Sequence, residues 1–315
     1  MSTTPSPVPA ELPQLRLGTA PDSWGVWFPE DPNQVSAAQF LDEAAQAGYR
    51  WVELGPYGFL PTDPDVLGPE LEARGLTLTG GAVFAALHRG AAALEQAIID
   101  CDQEARTIVP LGAEYLVLLP EGYTDLEGNL TQPADLTDAQ WTDLTTGMDA
   151  LGKHALETWG MKLVFHPHAD SHVDTQEHVI RFLEHTDPRF VNLCLDTGHI
   201  EYCGGDNIAL IKQYPERIQY VHLKQVNPAI RQRVVDEKLG FAPAVRLGAM
   251  VEPPDGDPAM EPLIAALGEL NRELFCIVEQ DMYPCAPDTP LPIAVRTQKF
   301  FATCGLGAGR PLARR

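Results

Sequence analysis

VNLCLDTGHIEYCGGD (191–206) decides how this chain is read. A short, mostly apolar run ends abruptly in Asp196, and Thr-Gly-His follows at once. The same layout recurs in LVFHPH (163–168), which ends in His166 and His168. It recurs again in IQYVHLK (218–224), with His222 and then Lys224, and in LFCIVEQD (274–281), with Glu279. Apolar runs of this length suit parallel strands buried on both faces. A polar group at the tip of such a strand is costly to bury unless it has a task. Four tips carrying imidazole and carboxylate imply one site assembled from the ends of several parallel strands. A (β/α)₈ barrel, the TIM barrel of the α/β class, has that layout.

The rest of the chain supports this reading. Strand signals at 16–24, 49–55, 76–84 and 114–120 precede the four already named. Helical patterns alternate with them at 36–48, 63–75, 92–112, 137–159, 175–186, 207–217, 258–271 and 292–305. Ser36, Thr137 and Thr175 stand where N-caps belong, and Gly48 where a helix stops. The stretch 225–257 reads as long and irregular, which favours a functional lid or loop over filler. The expected organisation is a disordered lead-in over 1–14, one barrel over 15–306 and a loose tail over 307–315.

Composition narrows the function classes. A net charge of −22 over 315 residues argues against nucleic acid or an anionic membrane as partner. No apolar run reaches the length of a membrane span, and MSTTPSPVPAELPQ has neither the basic nor the apolar part of a signal peptide. The six cysteines are scattered without metal or redox spacing, so free thiols in a reducing cytoplasm are expected.

A mixed histidine and carboxylate set suits a divalent ion, Mn²⁺, Co²⁺, Zn²⁺ or Fe²⁺, and with more carboxylate and water Mg²⁺. Each candidate also has a plainer reading. A lone histidine at a strand end is usually a hydrogen-bonded structural group, and Asp-Thr-Gly alone makes a turn. Glu53, at the tip of WVEL, could orient a ligand or contact substrate, or form a salt bridge. His88 and His172 fall in loops near the expected mouth. Trp24 and Trp27 could form an apolar wall for a sugar face, or core. Lys224 could hold a substrate oxygen, or be solvated.

The whole pattern, LVFHPHADSHVDTQEHVIRFLEHTDP, VNLCLDTGHIEYCGGD, IQYVHLKQVN, VEPPDGDP and CIVEQD, resembles the xylose-isomerase-like TIM barrel superfamily of sugar phosphate isomerases and epimerases. It is most similar to the inosose dehydratase branch, and the likeness runs from about Leu17 to about Gly305. The resemblance implies four metal ligands at His166, Asp196, His222 and Glu279, with His199 contacting substrate. Many relatives have glutamate where this chain has His166. That histidine fits the dehydratase branch, weakens a two-carboxylate epimerase mechanism and favours Mn²⁺ or Co²⁺ over Mg²⁺. Whether His168 replaces His166 as ligand stays open, with His166 preferred.

The implied chemistry is proton removal next to the ketone of a keto-cyclitol or keto-sugar. Glu279, His199 and His168 are the catalytic candidates. Loss of water from the enolate makes the chain an inosose dehydratase-like lyase. A ketose 3-epimerase or sugar isomerase is the alternative, and a sugar-binding barrel the non-enzymatic one. The expected partner is a small polyhydroxy ketone, with a homodimer in keeping with relatives that pair.

Overall fold

The computed structural model describes residues 12–307. The expected lead-in and tail lie almost wholly outside them. Parallel strands form a ring: β1 Leu15–Thr19, β2 Trp51–Val52, β3 Thr77–Leu78, β4 Gly80–Ala85, β5 Tyr115–Pro120, β6 Lys162–Phe165, β7 Val191–Asp196 and β8 Ile218–Leu223. Two short strands follow, β9 Gln225–Val226 and β10 Met250–Val251, and then β11 Leu274–Val278 returns to the ring. The ring's order is β3-β2-β1-β11-β8-β7-β6-β5-β4. Its two ends, β3 and β4, are consecutive in the chain, so the sheet is a nearly closed TIM barrel.

The third expected strand is therefore two pieces, broken at Thr79. β3 pairs with β2, and β4 pairs with β5. The seam between them is closed in part by Thr79 N–H donating to Val52 (2.9 Å) and Leu54 N–H donating to Gly80 (3.0 Å). Beyond the end of the short β2, a side chain completes the closure: Ala82 N–H donates to Glu104 Oε1 at 2.8 Å. Burial pushes the Glu104 carboxyl up to about 8.

Strand alternation sorts residues between two cores. Tyr115, Val117, Val164, Cys194, Tyr220 and Ile277 fill the barrel interior. Leu116, Leu163, Leu193, Leu195, Val221 and Leu223 belong to the larger core shared with the surrounding helices. Those helices include α1 Ala37–Ala47, α2 Pro64–Arg74, α3 Ala91–Ile108, α4 Asp138–Trp159 and α5 Gln176–Glu184. The caps fall where the residue types demand. Ser36 accepts from Gln39 N–H, Thr175 accepts from His178 N–H, and Thr137 forms a reciprocal capping box with Gln140.

α6 Thr197–Tyr202 starts directly on the DTGH motif and is followed by α7 Asn207–Gln213. The stretch 225–257 is not irregular throughout. It carries β9, α8 Pro228–Glu237, α9 Phe241–Arg246 and β10, with β9 and β10 antiparallel. Short elements with weak periodicity hide such structure from a sequence reading. Ala169, Tyr202, Val226, Phe241, Ala244, Val245, Ala249 and Met250 give this cover an apolar core of its own. α10 Met260–Glu269 and α11 Pro290–Thr303 complete the ring of helices. All six cysteines are free.

Candidate metal centre and substrate cavity

A β-bulge puts two of the candidate ligands side by side. Leu193 pairs with Ile218, but Cys194 pairs with Tyr220, so β8 holds one extra residue there. From that point Asp196 stands opposite His222. Without the bulge Asp196 would face Val221, and the His222 ring would point to the other side of the sheet. Asp196 ends β7 and caps α6, its Oδ1 accepting from His199 N–H at 2.8 Å. That leaves Oδ2 for the cavity side.

The four side chains converge. Ligand atoms of His166, Asp196, His222 and Glu279 all lie within 4.8 Å of one another. His166 Nε2 is 3.2 Å from Asp196 Oδ2. His222 Nδ1 is buried, 2.9 Å from Glu279 Oε2 and 3.7 Å from Asp196 Oδ2. The other ring nitrogen, Nε2, donates to Glu53 Oε1 at 2.8 Å. That bond commits Nε2–H to Glu53 and leaves Nδ1 as the nitrogen a metal ion would take, the usual arrangement behind a metal-binding histidine. Burial works against a charged ring, but Cys194, Glu279 and Glu53 raise the His222 pKa well above its ordinary value. The same field would hold a cation at Nδ1 in the proton's place. These residues fit a divalent ion.

Lys224 is the second charged feature of the floor. Its Nζ lies 2.8 Å from Asp281 Oδ2, 3.1 Å from Glu279 Oε2 and 3.2 Å from Asp196 Oδ2. It is 2% exposed, so the solvated reading fails. Burial opposes its charge, but these carboxylates keep its pKa well above the ordinary lysine value. Its stem explains the glycine of DTGH: a Cβ at Gly198 would come within 2.4 Å of Lys224 Cγ. Burial alone would raise Glu279, yet His222 and Lys224 bring it down to about 2.

His168 and His199 pack ring on ring, with centroids 3.9 Å apart. His168 Nδ1 donates to Ala169 O at 2.7 Å, which leaves its Nε2 as a lone pair. His199 Nε2 accepts from the Lys224 ammonium at 3.3 Å, and its Nδ1 lies 3.3 Å from Ala169 N–H. Burial holds both rings below the ordinary histidine pKa, and their neighbouring histidines and Lys224 add to it.

The floor opens into a cavity of about 550 Å³ that also contains Asp22, Glu53, Asp281, Trp27 and Phe241 on its wall. Three expected substrate contacts lie off that wall. Trp24 is core, 1% exposed, edge-on to Phe40, with its indole N–H donating to Glu43 at 2.7 Å. His88 and His172 pack on each other, with centroids 4.5 Å apart, behind Glu121. Of the tryptophan pair, it is Trp27 that faces the cavity, stacked on Tyr283 and Phe241.

Asp22, Asp281 and Phe241 were not singled out from sequence. Asp281 follows Glu279 at the same two-residue step as His168 after His166, a signal open to the same strand-tip logic. Asp22 sits just past the first strand and was equally legible. Phe241 gave no signal, because only the fold of the cover brings it over His168 and His199, 4.9 and 5.0 Å away. The backbone N–H of Phe241 donates to Asp170 Oδ2 at 2.7 Å, and Thr124 Oγ1 donates to the same oxygen at 2.8 Å.

A parallel barrel with a histidine–carboxylate cluster at its strand ends has the layout of a TIM barrel enzyme site. The chain belongs to the xylose isomerase-like TIM barrel family, whose model matches residues 41–304. It is 31% identical to an inosose dehydratase of Clostridium tetani over 295 residues, 91% of this chain and 96% of that one. It is 33% identical to an inosose dehydratase of Geobacillus kaustophilus, over 86% of this chain and 88% of that one. Among solved structures it is similar to an IOLI protein with a bound zinc atom, with a TM-score of 0.71 at 16% identity over 93% and 98% of the two chains. That last likeness concerns the fold. No helix among the described residues is long and apolar enough to cross a membrane.

Proposed function

We propose that this chain removes water from an inosose or a close keto-cyclitol, with a divalent metal ion held by His166, Asp196, His222 and Glu279. The observation that carries the reading is the His222 ring. Glu53 fixes one of its nitrogens, and the other is buried and turned toward three further ligand side chains, 2.9 Å from Glu279 Oε2. The inosose dehydratase relatives supply the substrate class. The chain is an enzyme of the lyase or isomerase kind, and the sugar-binding barrel is set aside.

A divalent ion bound there would supply Lewis-acid polarisation of the ketone oxygen. The protein's own groups then carry the proton transfers. Glu279, held near 2, is a weak base. His168 offers a free Nε2 and takes the proton from the carbon next to the ketone. The electron pair left behind forms the new C=C bond as the C–O bond of the β-hydroxyl breaks. His168, now protonated, passes that proton to the departing oxygen, which leaves as water, with His199 packed ring on ring against it. Glu53 and Lys224 hold the floor rigid, and Lys224 offsets the charge of the carboxylates around it. A 3-epimerase would need acid–base groups on both faces of one carbon. The position where many relatives carry a glutamate holds His166 here.

Purified protein supplied with Mn²⁺ or Co²⁺ and scyllo-inosose tests this. Growth of a dione absorbance, with about one metal per chain, supports dehydration. Exchange of the α-proton in D₂O without that absorbance moves the reading to epimerisation. Neither signal, with metal bound, ends the reading.

A further inference from the structure

The cavity is larger and more two-sided than a bare cyclitol requires. Its volume of about 550 Å³ falls in the range that takes a drug-sized ligand rather than one six-membered ring. The floor gathers the charged and imidazole side chains, over the Val117 and Ala20 side chains of the barrel interior. The outer wall has a different character: Trp27, Phe28, Phe84 and Leu126 line it, and Phe241 roofs it. Phe28, Phe84 and Leu126 are 42%, 60% and 41% exposed. Phe84 extends from β4 at the tip of its strand, so its place is set by the barrel. Large apolar side chains left in water around the mouth of a polar site mark a surface that a ligand covers. The C–H face of a polyol ring can lie on one aromatic side chain such as Trp27, but Phe28, Phe84 and Leu126 are then left uncovered.

Charge narrows the ligand further. The carboxylates Glu121, Asp125 and Asp170 stand on the outer wall, and Lys224 is the one lysine or arginine lining the cavity among the described residues. Its ammonium is already shared by Asp196, Glu279 and Asp281. A phosphate or carboxylate on the substrate would meet acidic side chains and find no free guanidinium or ammonium partner.

We infer that the substrate is an uncharged polyhydroxy ketone carrying an apolar substituent, which lies against Trp27, Phe28, Phe84 and Leu126 while the ketone ring sits on the floor. This rests on the polyol-ketone reading above and names its substrate class more narrowly. Phe84 and Phe28 act as specificity residues. They touch the arm of the substrate and not the reacting carbons.

Unreactive ring analogues test this by binding alone. Calorimetry on the Mn²⁺-loaded protein compares myo-inositol, its set of mono-O-benzyl ethers and myo-inositol 1-phosphate. At least one benzyl ether is expected to bind tenfold or more tighter than myo-inositol, and the phosphate more weakly than either. Phe84→Ser and Phe28→Ser change exposed positions and should leave folding intact. Each should remove most of the benzyl gain and leave myo-inositol unchanged. Equal affinity for plain and benzylated rings would overturn the inference, as would a gain that survives both substitutions or tighter binding of the phosphate. A change of oligomeric state in Phe84→Ser, by sedimentation, would also overturn it, because the patch would then be a contact between copies. If the plain ring binds and the arm adds nothing, this inference alone fails. If no polyol binds, the proposed function fails and takes this one with it.

Discussion

The floor of the cavity and its cover are built by opposite means. The floor hangs on strand register: one bulge between β7 and β8 sets Asp196 against His222, and parallel pairing brings β11, with Glu279 just beyond it, beside β8. The cover over 225–251 is made of short helices and a two-residue ribbon. Asp170, itself at a φ of 58°, ties it to the Thr124 loop. Backbone ladders hold the floor cooperatively, whereas the cover rests on one two-residue ribbon, a small apolar core and a few side-chain bonds. Positions in the floor should therefore act on chemistry with little change in local order, and positions in the cover should act on order first.

The largest effects should come from the floor. His222→Ala and Glu279→Gln should each lower kcat/KM on scyllo-inosose by at least about a thousandfold. Bound Mn²⁺, read by elemental analysis, should fall with it, while far-UV circular dichroism stays native. Normal turnover in either would remove these two residues from the centre. Glu53→Gln is gentler, since the amide oxygen can still accept from His222 Nε2. A loss of about 10–100-fold in metal affinity, read by titration, is expected. An unchanged affinity would reduce Glu53 to a spectator.

The cover is broken at Asp170. Asp170→Ala strips two donors of their acceptor and places a Cβ-bearing residue without a polar side chain at positive φ. Together these should cost about 2–4 kcal/mol locally. Hydrogen exchange should rise over 240–246 and not over β7 and β8, and Asp170→Asn should restore most of the protection. Equal loosening of the floor strands would show that the two regions fold as one unit.

The smallest effect lies at the seam, outside both regions. The Glu104 carboxyl, lifted to about 8 by burial, keeps its proton in the folded chain while the unfolded chain gives it up near the ordinary 4.5. Between those values the folded state binds more protons, so stability falls as pH rises. Glu104→Gln can keep the bond to Ala82 N–H without that loss. Its thermal midpoint should match the parent near pH 5 and exceed it near pH 8, by about 1–3 kcal/mol in stability. A parallel pH dependence in parent and variant would place the titrating group elsewhere.

Strand tips were legible because a parallel barrel strand is a contiguous apolar run, and a polar residue breaking it stands out locally. That is why VNLCLD, LVFHPH, IQYVHLK and LFCIVEQ carried both the fold and its four convergent side chains. The helix caps at Ser36, Thr137 and Thr175 were legible for the same reason, since a cap is an interaction over three or four residues. The register was not. Nothing local in IQYVHLK announces that β8 holds an extra residue, because a bulge is a relation between two strands. Trp24 and Trp27, three apart, looked alike. Which one faces the cavity was decided by the turn after β1 and by the packing of Phe40 and Glu43 against the first. Phe241 became part of the site only when the cover folded over it. Contacts between segments far apart in the chain have no signature in either segment alone, so tertiary structure decided them.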